Sequence, residues 1–291
     1  NGWKHQVYES MGHVYYEVKK PGGDWQFAES PDQNLHLDSG GGKAPSIAKV
    51  NDFMNGSLQY DDYVTLAWQE GDKVKVQLFH YYDYQDNYTW QYSKRFNTGE
   101  SASYDVEPVI AWSGLNQFMV LWHTGNGLKY RICSVQPNND TGQEIQEEFA
   151  GTVDGTDSNS DGAVVASDKN SSGDYAEFKV GWIQSSGGYE NEVKLKPVWS
   201  SISYDYHTSG STETVSYARH ERNKSLSLIN VKDSSRYYDD TYRIGWVGMV
   251  SRDPSDTEIY VYNQREGVYF FIDRYARSMT LGNATNKDFF Y

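Results

Sequence analysis

Residues 64–79 read VTLAWQEGDKVKVQLF, and this stretch decides the fold. Apolar residues recur at about every second position on both sides of a short polar turn that contains Gly71. A period of two is typical of a strand with one buried face, and a glycine between charged residues marks a tight turn. The stretch therefore predicts a β-hairpin.

Variants of this hairpin recur along the chain. Aligned on their aromatic residue, the copies centre on Tyr8, Trp68, Trp122, Trp182 and Trp246, at spacings of 60, 54, 60 and 64 residues. A period of this length indicates a repeat architecture, in which each unit contributes the same buried face. We therefore predict that the tryptophans belong to the core and carry no ligand.

Each copy also has strand-like segments on either side. A segment of small apolar residues precedes the hairpins, at 44–50, 107–113, 161–167 and 224–231. Another segment follows them, at 89–96, 144–151, 213–221 and 268–276. Four short strands in each repeated unit are the signature of an all-β β-propeller with four-stranded blades. We predict a single propeller domain over residues 1–291.

The blade count depends on the two ends of the chain. The first copy has no inner strand ahead of it, and an unpaired inner edge leaves buried backbone groups without partners. The C-terminal segment NKDFFY (286–291) is suited to fill this place and to close the first blade. Five blades are therefore favoured, and a six-bladed ring remains the alternative.

Composition excludes several functions. A net charge of −14 disfavours nucleic acid and anionic membranes as partners. The single cysteine, Cys133, excludes an internal disulfide, and its apolar surroundings predict a buried thiol. No apolar run reaches the roughly 20 residues of a membrane span, so membrane insertion is not predicted. Because the chain opens on Asn1, we expect a mature or excised segment of a longer chain.

Two segments carry a resemblance to a known family. HVYYEVKKPGGDWQF (13–27) and NYTWQYS (87–93) resemble the Asp-box turns of sialidase-like (BNR) β-propellers, although Lys20 and Gln85 stand where that family has aspartate. The segment VYESMGHVYYEV (7–18) is also similar in style to sequences of exported proteins of Bacteroidota-type bacteria. The resemblance implies a propeller, and it suggests an extracellular or cell-surface location.

The resemblance also implies where a ligand binds. In this family the ligand face is built from the loops that lead into the inner strands and from the turns between second and third strands. Aromatic and cationic residues on these loops are candidates for ligand binding: Tyr104, His123, Tyr189, Arg222 and Arg252. The family's set of three arginines is incomplete here, so sialidase activity is not expected. A polar surface role remains the alternative for His123.

Carboxylates on the same loops raise the question of glycoside hydrolysis. Such enzymes need two carboxyl groups at roughly 5–5.5 Å for retention or 6.5–9.5 Å for inversion. Glu70, Asp105 and Glu107 are the candidates for this catalytic role. In so acidic a chain, solvated surface groups are the competing interpretation.

One segment resembles a calcium loop. DSNSDGAVVASD (157–168) has oxygen-bearing side chains at alternate positions, Asp157, Asn159 and Asp161, followed by a glycine. Hard cations such as Ca²⁺ prefer such ligands. The flanking helices of a calcium-binding hand are absent, and the following strand would carry Asp168 away, so a solvated acidic loop is the alternative. We predict no other cofactor.

Two function classes follow. The favoured one is a non-enzymatic binding or structural module of an exported or cell-surface protein, with a glycan or an extracellular protein as partner. In this hypothesis the module belongs to a longer or multi-component surface assembly. The alternative is a glycoside hydrolase that uses the carboxylates of the ligand face.

Overall fold

The computed structural model of the chain describes residues 4–27, 36–50, 61–82, 87–113, 117–135, 145–169, 175–185, 190–201, 205–219, 226–231, 241–249, 257–263 and 268–273. These ranges are all-β and contain twenty strands: β1 (Lys4–Ser10), β2 (His13–Lys19), β3 (Trp25–Phe27), β4 (Gly42–Val50), β5 (Asp61–Glu70), β6 (Lys73–Tyr82), β7 (Asn87–Asn97), β8 (Val109–Trp112), β9 (Gln117–Thr124), β10 (Gly127–Val135), β11 (Ile145–Thr152), β12 (Ser160–Lys169), β13 (Ala176–Ser185), β14 (Glu190–Ser201), β15 (Tyr206–Ser209), β16 (Glu213–Arg219), β17 (Leu226–Val231), β18 (Thr241–Met249), β19 (Thr257–Asn263) and β20 (Val268–Asp273). In this described part, no helix has the length and apolarity that a membrane span requires.

The strands form antiparallel sheets in the order of the chain. The sheets are β1-β2-β3, β4-β5-β6-β7, β8-β9-β10-β11, β12-β13-β14-β15 with β16 also paired to β14, and β17-β18-β19-β20. The opening hairpin is β5 and β6, in which Glu70 pairs with Lys73 across Gly71. Gly71 has φ +63°, a conformation that glycine adopts without steric cost. The prediction of repeated four-stranded units is confirmed for β4–β7, β8–β11 and β17–β20, whereas the first sheet has three described strands and the fourth has five.

The chain divides into two compact units, residues 1–125 with 129–151 and residues 126–128 with 152–291. Within the first unit, β1 lies beside β4 and β4 lies beside β8. Within the second unit, β12 lies beside β17. The first strands of successive sheets are thus neighbours, as in consecutive blades of a propeller. The predicted fold class, all-β of the β-propeller type, is confirmed.

The number of blades stays a prediction, as does a single domain over 1–291. The C-terminal segment 286–291, to which the closure of the first blade was assigned, lies outside the described residues.

The repeated tryptophans form the core of the sheets. The side chains of Trp68, Trp122 and Trp182 are fully buried, which confirms the prediction for these three. Trp246 lies on β18, and its side chain is outside the described part of the chain. Burial of such a large aromatic side chain removes apolar surface from water and stabilises the sheet that contains it.

The first copy departs from the alignment on Tyr8. The fully buried aromatic side chain of this sheet is Tyr16 on β2, at 1% exposure, whereas Tyr8 on β1 is half-buried. In the described part of the chain this sheet has three strands, β1-β2-β3, and β1 lies beside β4. That the C-terminal segment supplies the inner strand of this copy stays a prediction. Strand alternation defines two faces, but packing decides which strand carries the core residue.

Cys133 on β10 is a free and fully buried cysteine, as predicted. Burial raises the pKa of its thiol far above the usual value, so the reactive thiolate is not populated at neutral pH. We expect no modification of the native protein by iodoacetamide and complete modification in guanidinium chloride, measured by mass spectrometry. Rapid labelling under native conditions would contradict this burial.

Candidate functional site

Several loops of the first unit meet along one edge of its sheets. Backbone hydrogen bonds connect them: Gly41 N–H donates to Gly12 O at 2.9 Å, Thr98 N–H to Asp72 O at 3.1 Å, and His123 N–H to Val106 O at 2.8 Å. We call this the loop edge and define it by residues 9–13, 36–44, 69–72, 98–108 and 123–125. It combines turns between second and third strands with loops that lead into β4 and β8.

Tyr104 and His123 form an aromatic pair on the loop edge. The Tyr104 hydroxyl lies 2.9 Å from His123 Nδ1, and the ring centroids are 5.6 Å apart at an interplanar angle of 21°. His123 Nε2 is buried and makes no hydrogen bond within the described residues. A buried polar atom of this kind is normally satisfied by water or by a ligand. The pair therefore contains one buried polar atom without a partner in the described part of the chain.

Gln69, at the end of β5, holds this pair in place. Its side chain is fully buried. The side-chain oxygen accepts a hydrogen bond from Val106 N–H at 3.0 Å, and the side-chain nitrogen donates to Tyr104 O at 2.6 Å and to Gly71 O at 3.0 Å. One buried amide thus fixes the loop that carries Tyr104.

Sequence reasoning missed Gln69. The signal available was that Gln69 and His123 each follow a repeated tryptophan, at a position that differs from copy to copy. Such a position is a natural place for side chains that connect one sheet to the next.

Replacing Gln69 with leucine is expected to lower the free energy of unfolding by about 2–3 kcal/mol. The leucine removes all three hydrogen bonds and leaves Val106 N–H and two carbonyl groups without their partner. Urea denaturation followed by circular dichroism measures the change. The matched control is Gln26→Leu at an exposed position of β3, with an expected change within about 0.5 kcal/mol. Equal stability of the two variants would contradict an anchoring role for Gln69.

The three candidate catalytic carboxylates all lie on the loop edge. Ser39 Oγ donates a hydrogen bond to Glu70 Oε1 at 2.5 Å, Lys75 Nζ lies 3.6 Å from Glu70 Oε2, and Arg95 Nη2 lies 3.5 Å from Glu70 Oε1. Asp105 is paired with Lys43. Glu107 is exposed. Two of the three carboxylates are therefore neutralised by neighbouring cations.

Glu107 and Ala44 occupy equivalent positions and share an unusual backbone conformation. Their φ values are +43° and +51°, and each directly precedes a proline at the start of an inner-strand segment. Non-glycine residues in this region cost about 1–3 kcal/mol each, and such strain concentrates at functional sites. Ala44 N–H is held by Glu9 Oε2 at 3.0 Å. The two positions mark the loop edge as the strained side of these sheets.

The remaining predicted site residues lie elsewhere. Tyr189, Arg222 and Arg252 are outside the described residues. Asp157 and Asn159, in the second unit, form a tight turn in which Asp157 Oδ1 accepts hydrogen bonds from Asn159 N–H and Gln184 Nε2, both at 2.8 Å. The hydrogen bond from Gln184 contributes most to holding the pKa of Asp157 below its usual value.

Asp161 is the second residue of β12 and pairs with Ile183, and its side chain is outside the described part. Asp168 pairs with Glu177 near the far end of the same strand. Asp157 and Asn159 are thus close to each other, while β12 carries Asp168 away from them. The calcium loop stays a prediction.

A second polar group on the loop edge consists of His13, His36 and Asp38. The Asp38 side chain is fully buried, and the two imidazole rings are stacked with centroids 4.0 Å apart. No motif spacing relates these residues, since the two histidines are 23 positions apart and strands β2 and β3 lie between them.

The fold and this edge define an all-β protein of the β-propeller class with a polar, conformationally strained loop edge. No known protein family matches the chain, and no curated protein matches it. Among solved structures it is similar to a Trypanosoma rangeli sialidase in complex with sialic acid (9% identity, TM-score 0.43, covering 94% of this chain and 42% of the sialidase). It is also similar to an exo-1,5-α-L-arabinanase from a bovine ruminal metagenomic library (10% identity, TM-score 0.43, covering 94% of both chains). Both likenesses are too weak to assign an activity.

Proposed function

We propose that the chain is a non-enzymatic binding module of an exported or cell-surface protein and that it takes a glycan at the loop edge of the first unit. The observation that carries the proposal is the Tyr104–His123 pair, whose buried Nε2 atom lacks a hydrogen bond. The exact glycan, the extracellular location and the larger surface assembly belong to the same proposal.

A glycan fits the chemistry of this edge. Sugars present hydroxyl groups that need directional hydrogen bonds, and polar groups placed in advance supply orientation and specificity. His123 Nε2 and the exposed carboxylate of Glu107 are such groups, and the buried Gln69 amide holds the loop between them. Preorganisation of this kind lowers the entropy cost of binding.

The pairing of the carboxylates favours binding over hydrolysis. A glycosidase needs two carboxyl groups that face the scissile bond. Lys43 lies beside Asp105, and Lys75 and Arg95 lie beside Glu70, so ion pairs already engage two of the three candidate carboxylates. A hydrolase with Glu70, Asp105 and Glu107 as its catalytic set remains the second candidate.

A glycan array followed by calorimetry with the best ligand tests the proposal. We expect Tyr104→Ala and His123→Ala each to weaken binding about tenfold or more, because each removes one side of the pair. Tyr206→Ala, at an exposed tyrosine of the second unit, is the matched control and should bind as the wild type does. Absence of any glycan ligand, or equal binding by all variants, would overturn the proposal.

A panel of chromogenic glycosides separates the two candidate functions. Under the binding proposal the wild-type protein releases no chromophore from any of them. Turnover that is abolished by Glu70→Gln or Asp105→Asn would establish the hydrolase instead.

A further inference from the structure

We propose that His13, His36 and Asp38 bind a divalent transition-metal ion such as Zn²⁺. His13 is the first residue of β2, and the other two lie in the loop that leads into β4. One potential ligand atom from each residue can be chosen so that all three lie within 4.8 Å of one another. This group is separate from the Tyr104–His123 pair, and the inference does not depend on the proposed glycan ligand.

The spacing of the group is compatible with a small cation. His13 Nδ1 lies 3.4 Å from Asp38 Oδ2. Two ligands at about 2.0–2.1 Å from a tetrahedral Zn²⁺ ion are about 3.3–3.4 Å apart. The whole set lies within 4.8 Å, so side-chain rotation brings the three ligand atoms onto one ion.

Asp38 is held in position as a metal ligand would be. Its Oδ1 accepts a hydrogen bond from Val14 N–H at 2.9 Å, and its Oδ2 accepts from Gly40 N–H at 3.0 Å and Gly42 N–H at 2.9 Å. A Cβ atom at Gly42 would lie 2.8 Å from Asp38 Cγ, so the backbone approaches the carboxylate as closely as glycine allows. Oxygen Oδ1, with one backbone donor, retains a lone pair for a cation. Supporting hydrogen bonds of this kind orient the ligands of metal sites.

His13 and His36 supply the nitrogen ligands of the proposed site. His13 Nδ1 is buried and makes no hydrogen bond within the described residues, although it faces a buried carboxylate. His36 Nδ1 donates a hydrogen bond to the backbone oxygen of Asp38 at 2.7 Å, which fixes the orientation of its ring and leaves Nε2 as the nitrogen that can bind a metal ion. Both side chains remain about one-third exposed, so an ion can reach them from solvent. A shared cation satisfies the unpaired nitrogen and the carboxylate together.

The donor set selects the type of ion. Two imidazoles and one carboxylate suit Zn²⁺, Co²⁺, Ni²⁺ or Cu²⁺, whereas Ca²⁺ and Mg²⁺ prefer oxygen ligands throughout. Three protein ligands leave one tetrahedral position for water or for an exogenous group.

Calorimetric titration of the chelator-treated full chain with Zn²⁺ tests the inference, and the visible spectrum of the Co²⁺ form reports the geometry. We expect one ion per chain and the intense d–d bands of tetrahedral Co²⁺. The double variant His13→Asn/His36→Asn should lose at least about 100-fold in affinity, because it removes two of three ligands. His207→Asn, a half-buried histidine of the second unit, is the matched control and should retain wild-type affinity.

A folding control keeps the test decisive. Circular dichroism of each metal-free variant establishes that it is folded, and the single variant His36→Asn replaces the double variant if the latter is not. Zn²⁺ should also raise the melting temperature of the wild type and not that of the ligand variant. No stoichiometric binding by the wild type, or unchanged binding in a folded ligand variant, would show that His13, His36 and Asp38 do not form a metal site. Neither result bears on glycan binding, which is measured separately.

Discussion

Replacing Trp122 with alanine is expected to lower the free energy of unfolding by about 4 kcal/mol. The side chain is fully buried on β9. Its ring is stacked on Phe96 with centroids 6.3 Å apart, and the Arg131 guanidinium lies 5.6 Å from the ring. Alanine therefore removes a large apolar surface from the core and leaves a cavity that rigid neighbouring strands cannot close.

Urea denaturation monitored by circular dichroism measures this loss. The matched control is Trp25→Ala on β3, where the ring is 39% exposed and the expected change is at most about 1 kcal/mol. A Trp122→Ala protein as stable as the Trp25→Ala protein would show that the repeated tryptophan does not support the core.

Replacing Asp38 with alanine is expected to lower the free energy of unfolding by about 3 kcal/mol in the absence of metal. The variant leaves the backbone N–H groups of Val14, Gly40 and Gly42 without their acceptor in a buried loop. Hydrogen bonds to a charged acceptor are stronger than those between neutral groups. Asp72→Ala is the matched control, because Asp72 is an exposed member of the same edge and its carboxylate pairs with the neighbouring Lys73 at the surface. A loss no larger than that of the control would contradict the bracing role of Asp38.

Asp38 also predicts that the free energy of unfolding depends on pH. Burial by itself would raise the pKa of the Asp38 carboxyl, but backbone hydrogen bonds, led by those from Val14 and Gly42, outweigh it and hold the pKa below the usual value. A lowered pKa means that the carboxylate adds stability above about pH 4 and that this stability is lost as the pH falls through the folded-state pKa. The stability difference between wild type and Asp38→Ala should therefore shrink between neutral pH and about pH 3. A difference that stays constant over this range would contradict the assignment.

Much of the fold was predictable because its signals are local. The alternation in residues 64–79 and the turn at Gly71 depend only on neighbours in the chain, and both strands form as predicted. The burial of Trp68, Trp122 and Trp182 also follows from the repeat, since every unit must bury the same face. The sequence did not predict that Tyr16 on β2, and not Tyr8 on β1, is the fully buried aromatic residue of the first sheet. Alternation alone does not say which of two adjacent strands carries the core residue.

The sequence by itself thus determined the strand content, the hairpin repeat and the buried tryptophans, and it pointed to the loops of one edge. Only the tertiary structure joined Gln69 to Tyr104 and Val106, and His13 to His36 and Asp38. These contacts connect residues more than 20 positions apart through single buried side chains, and no local periodicity encodes them. Strand patterns arise from the chemistry of adjacent residues, whereas a site arises where separate strands end beside one another.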